Sequence, residues 1–135
     1  MPIARDTTVA NIKPLDGAIV RRFVAGAAIE PGELVCMQSD GKIDPAIGTS
    51  VAAAQCLGVA LTPRNQGTAY ADGDVVDVVV HGAVKCLTGA TAGALVYVSD
   101  TAGEPSETAG TKASIAGIAE SATVLFVRPQ ASALS

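Results

Sequence analysis

A chain of 135 residues that is 49% hydrophobic but only 3% aromatic, with no Trp, can fill one core yet has little with which to stack sugars or bases. Its formal net charge of −4 argues against generic nucleic-acid binding, which needs clustered Lys and Arg. The 14 Gly and 7 Pro suit many turns between short strands, so a core of Val, Ala, Leu and Ile in an all-β domain is expected.

Residues 1–17 read as an extended N-terminal arm. Pro2 and Pro14 oppose a helix, no helical stripe is present, and Asp16-Gly17 signals a turn. The start has no apolar signal-peptide core, and no run reaches the length of a membrane helix. Synthesis in a cytoplasm and a soluble product are therefore expected. A single β domain is expected over residues 18–129, followed by a small-residue tail at 130–135. Both ends are expected to be tied down, by neighbouring subunits.

Within the domain, residues 18–24 read as a strand, with Ala18, Val20 and Arg22 on one face. Pro31-Gly32 turns into a strand at 34–38, and Asp40-Gly41 closes a hairpin-like turn. Residues 51–54 fit a helical turn or a tightly packed strand. A strand at 56–61 leads into a polar excursion at 62–73, which holds Arg64 and Asn65 and is a candidate for partner contact.

The stretch 71–100 organises the chain. Val76, Val78, Val80, Gly82, Val84 and Cys86 alternate with Asp77, His81 and Lys85, a period of two that predicts one buried and one wetter face. Thr88-Gly89 turns into a strand at 94–99, and the last strand, 123–128, stops at Pro129. An internal echo accompanies this pattern. Glu30-Pro31-Gly32-Glu33-Leu34-Val35 lines up with Thr91-Ala92-Gly93-Ala94-Leu95-Val96, and Leu57-Gly58-Val59-Ala60 with Ala116-Gly117-Ile118-Ala119. Two similar short-strand units would pack as a compact sandwich or barrel.

No constellation in the chain carries chemistry. Asp77, His81 and Lys85 share a predicted face, but positions four apart on a strand are roughly 13 Å apart. Asp72, Asp74 and Asp77 lack the glycine and terminal glutamate of a calcium loop. Cys36, Cys56 and Cys86 have no CxxC spacing and read as buried reduced thiols. No cofactor, metal or reaction is expected, nor a membrane partner. Lys85 resembles the exposed lysine of biotinyl and lipoyl carriers, a minor alternative, although the turn comes later than a carrier hairpin would need.

Charge is spread unevenly. Residues 1–25 hold Arg5, Lys13, Arg21 and Arg22 against Asp6 and Asp16, a balance of +2, which leaves −6 for the rest. A basic leading segment on an acidic body fits a docking arm.

Taken in order, the Gly-turn and Val-strand units from Ile29 to Val35, Leu57 to Ala60, Gly73 to Gly82, Gly93 to Tyr97 and Ile115 to Glu120, with the closing Val127-Arg128-Pro129, resemble the small capsid decoration, or cement, proteins of tailed bacteriophages. The resemblance covers roughly residues 17–129. It implies a non-enzymatic virion protein on the outer surface of the phage head, made in the bacterial cytoplasm. Such a protein would stabilise the mature shell by bridging major capsid protein subunits as a homo-oligomer, a trimer rather than a dimer. Arg5, Lys13, Arg21, Arg22, Arg64 and Asn65 are the expected contacts. A head-fibre base or tail component is the main alternative.

Overall fold

The computed structural model describes residues 3–7, 12–63 and 69–129. Its elements run β1 (Ala4–Arg5), β2 (Lys13–Pro14), β3 (Ile19–Val24), β4 (Leu34–Met37), β5 (Ile43–Pro45), α1 (Val51–Ala54), β6 (Cys56–Ala60), β7 (Val75–Lys85), β8 (Leu87–Thr88), β9 (Leu95–Val98), β10 (Pro105–Ser106), β11 (Ile115–Ala119) and β12 (Val124–Val127). Ten of these strands form a curled antiparallel sheet, and β1 and β8 form a separate two-stranded one, so the fold is mainly β. Of the two readings open for residues 51–54, the helix holds. Ser50 caps it, its hydroxyl accepting from the Ala53 N–H at 3.4 Å.

The internal echo is present hydrogen bond for hydrogen bond. Gly32 N donates to Ala60 O, and Ala60 N to Glu33 O; Gly93 N donates to Ala119 O, and Ala119 N to Ala94 O. Both turn glycines sit at φ +87°, in the left-handed region that side chains resist. Leu34 then opposes Val59 and Val35 opposes Gly58, as Leu95 opposes Ile118 and Val96 opposes Gly117. β5 flanks β4 as β10 flanks β9. Gly58 and Gly117 play one role twice. A Cβ at Gly58 would run into the Val79 carbonyl, and one at Gly117 into the Phe126 carbonyl, so only glycine lets the neighbouring strand approach.

β7 joins the two units. Its first half lies between β3 and β6, and its second half between β12 and β2. The strand does not keep one face buried along its length, which corrects the period-two expectation. Val20 opposes Val79 while Ile19 opposes His81, so Val80 is an extra residue and forms a β-bulge. The bulge inverts the parity. Val76 and Val78 enter one core with Val35, Ile43, Ala60 and Tyr70, whereas Val79, Val84 and Cys86 enter the other with Leu34, Leu125 and Val127. One strand can thus serve two cores on opposite faces of the sheet. Asp77, expected on the wetter face, is buried at 8% exposure.

The leading segment is laid against the body. β1 pairs with β8, Asp6 N donates to Cys86 O, and β2 pairs with β7. Ile3 and Ile12 are both buried in the larger core. The strands at its two described pieces, β1 and β2, are therefore packed on the body.

Candidate functional site

One edge of the sheet that exposes apolar side chains is β3. It pairs with β7 on one side; on the other, among the described residues, only β5 reaches the chain, by a parallel bridge between Ile43 and Ala25 just past the end of β3, and residues 19–23 have no strand partner there. Its sequence, Ile-Val-Arg-Arg-Phe-Val, is apolar at both parities, so neither face of the strand is purely polar. Ile19 is 53% exposed, and Val20 and Val24 are also exposed. Val75, opposite Val24 on β7, is 58% exposed. An open edge with exposed apolar side chains is a template for pairing with another chain.

Two arginines interrupt that apolar strand. Arg22 Nε lies 3.4 Å from Asp77 Oδ1, a pair whose cation is exposed and whose anion is shielded. Arg21 projects on the other face, its guanidinium 5.2 Å from the centre of the Phe23 ring. Among the described residues no carboxylate forms an ion pair with Arg21. Beside the strand lies a cleft of about 340 Å³, lined by Arg22, Tyr70, Asp74, Val75 and Asp77. Tyr70 donates its hydroxyl to the Leu61 carbonyl at 2.6 Å, and Asp74 accepts from the Ala71 N–H at 2.8 Å, so both polar groups brace the cleft wall.

Arg5 has a different fate. Its guanidinium meets Glu104 at 2.8 Å and Glu30 at 3.3 Å, and donates to the Pro31 carbonyl at 3.1 Å. Glu33 completes the cluster, accepting from the Glu30 N–H at 2.8 Å. Burial pushes the Glu33 carboxyl above the usual carboxylate range, against the opposing pull of that hydrogen bond and of Arg5. Glu30 and Glu33 belong to the turn of the first unit and Glu104 to the second, so Arg5 ties the two units together.

Of the other sequence candidates, Lys13 is exposed on β2, with Lys85 as its register partner. Arg64 and Asn65 lie outside the described residues. Arg21 and Arg22 are adjacent on the open edge, and Arg5 stands apart from them within its own acidic cluster. The bulge moves Asp77 to the opposite face from His81 and Lys85, which therefore do not form one row. His81 stacks edge-on against Phe126 at 5.3 Å. Lys85 is within the paired end of β7, opposite Val124, and not at a hairpin tip.

The three thiols are free. Cys36 and Cys56 are register partners on β4 and β6. Desolvation raises all three, Cys56 to about 12 and Cys86 further still. Such thiols are poor nucleophiles at neutral pH. Among the described residues no group of three or more His, Cys, Asp or Glu is placed to hold a metal ion, and no helix is long and apolar enough to cross a membrane.

Sequence reading missed the Arg22–Asp77 pair and the double exposure of β3. The signal was there in apolar residues at both parities around two adjacent arginines, a pattern that fits neither a half-buried strand nor a solvated one.

No curated protein matches the chain. A family model described as structural cement protein (E217 gp24/Pam3 gp6) matches residues 4–133, taking in both units, the spine strand β7 and the docked β1. The chain belongs to the phage structural cement protein family, and is a structural component of the virion capsid.

Proposed function

We propose that the protein binds the outer surface of the phage head and stabilises the mature shell by bridging major capsid protein subunits, with no reaction of its own. The family match over residues 4–133 carries this reading. The ionic chemistry supports it. The Arg5–Glu104 pair closes the fold upon itself, while most of an apolar, basic edge is left open. A protein that binds only the mature shell stabilises it by its binding free energy at every occupied site. Bridging multiplies that effect without strong single contacts.

The body acts as one unit, presented to the shell as a homo-oligomer, a trimer rather than a dimer. Of the sequence candidates, Arg21 and Arg22 are the leading contacts, with Lys13, Arg64 and Asn65 around them. Arg5 contributes by holding the leading segment in place, since its guanidinium is engaged internally. The test is to mix purified protein with mature shells and with procapsids, both lacking it, then to pellet the particles and image them by cryo-electron microscopy. Saturable density at local symmetry axes of the mature shell is expected. Absence of density from both particles would reject the proposal.

A further inference from the structure

We infer that β3 is the receiving edge for an extended segment of a capsid subunit, one that presents acidic side chains to Arg21 and apolar side chains to the opposite face. The inference rests on the capsid-binding function proposed above and names the element that does the binding. Backbone pairing along an open edge supplies affinity, and alternate side chains supply selectivity.

The two faces of β3 prescribe the occupant. On one face Val20, Val24 and the neighbouring Val75 surround Arg22, whose charge Asp77 already answers. An added strand gains there by covering apolar surface. On the other face Ile19, Arg21 and Phe23 alternate, and Arg21 has no carboxylate partner among the described residues. A carboxylate across the strand from Arg21 would gain a charge-assisted contact.

A second copy of this chain fits the edge poorly. Antiparallel pairing of β3 with itself needs a two-fold axis normal to the sheet, and that operation opposes residues of equal parity. The two registers that keep most of the strand in contact set Arg21 against Arg21 or Arg22 against Arg22. Like charges directly opposite destabilise a strand pair. The same arginines that would favour an acidic partner therefore guard the edge against self-association, as edge charges commonly do.

Two measurements decide the matter. First, the full chain and its Arg21→Glu variant are titrated onto mature shells lacking the protein. The variant is expected to bind about tenfold more weakly or worse, with an unchanged melting temperature. Wild-type binding together with undiminished binding of the variant would overturn the edge assignment and leave the capsid-binding function standing. If the wild type fails to bind as well, the function falls instead, and the second measurement still decides the edge.

In that second measurement a synthetic peptide alternating valine and glutamate is added to isotope-labelled full chain and followed by NMR. Amide shifts concentrated at residues 19–24, and absent with a valine–lysine peptide, are expected. Equal response to both peptides, or no response to either, would overturn the inference.

Discussion

Replacing Arg5 with Met keeps most of the apolar stem and removes the charge, which isolates the ionic role of this residue. The 2.8 Å contact to Glu104 joins side chains that are 11% and 30% exposed. Its value therefore falls between a surface pair, worth at most about 1 kcal/mol, and a buried pair, whose breakage costs about 3–5 kcal/mol. The Glu30 contact adds little, because Glu30 is 59% exposed. The orphaned Pro31 carbonyl adds roughly 1 kcal/mol, with overlap. A loss of about 2–3 kcal/mol follows, or roughly 7–10 °C in melting temperature for a domain of this size.

The pH dependence of that loss is a second readout. The folded-state pKa of Glu33 is raised, so the folded state holds its proton more tightly than the unfolded state does. Its contribution is favourable below the ordinary glutamate value and is lost as pH rises through the folded value. Without Arg5 that value rises further, because one stabiliser of the carboxylate is gone. The gap between wild type and Arg5→Met should therefore narrow on acidification from pH 7 towards pH 4. Thermal unfolding followed by circular dichroism at both pH values measures it. A loss below about 0.5 kcal/mol at pH 7, within the range of an ordinary surface substitution, or a gap that widens in acid, would refute the account of the cluster.

Three further outcomes are expected. Gly58→Ala and Gly117→Ala should each destabilise by about 1–3 kcal/mol or more, because a methyl group meets a carbonyl oxygen of the next strand. Gly41→Ala, at φ +83° with open space around it, should cost only about 1–2 kcal/mol, and urea titration of the three variants measures the difference. Native Cys56, raised from 9.0 to about 12 by desolvation, should react with a thiol reagent about tenfold or more slower than in the unfolded chain, the lower thiolate fraction being partly offset by higher nucleophilicity, and equal rates would contradict its shielding. Asp100 accepts from the backbone and hydroxyl of Thr111, which lowers its pKa. It therefore stabilises the fold above its ordinary value and loses that effect as pH falls through the folded value, so Asp100→Asn should flatten the acid limb of the stability profile.

Much of this architecture was legible because the chain repeats it. The turn glycines at 32 and 93 and the close-approach glycines at 58 and 117 are residues whose identity is fixed by backbone geometry, so they survive as a visible echo. The helical turn at 51–54 could be read from its alanines, although a strand reading was equally open. The bulge at Val80 could not be read, because one valine inserted among valines leaves no mark in composition. Its consequence, the inverted parity beyond His81, was invisible for the same reason. The docking of the leading segment was obscure too. Ile3 and Ile12 are isolated apolar residues with no period, and the partner of Arg5 lies 99 residues away. As for the open edge, its basic residues stood out in the sequence, whereas its missing neighbour became evident only from the strand order.

The docking of β1 has a bearing on biogenesis. Ala4 pairs with Thr88, and Arg5 waits for Glu104, so the segment that leaves the ribosome early can close only against strands made much later. The intervening strands can begin to pair during synthesis, but the two-unit body cannot be latched until the second unit has emerged. Such non-local closure slows folding relative to local pairing. Until it happens, Ile3 and Ile12 remain exposed and β8 lacks its partner. Final closure of the leading segment therefore waits until the strands of the second unit have been made.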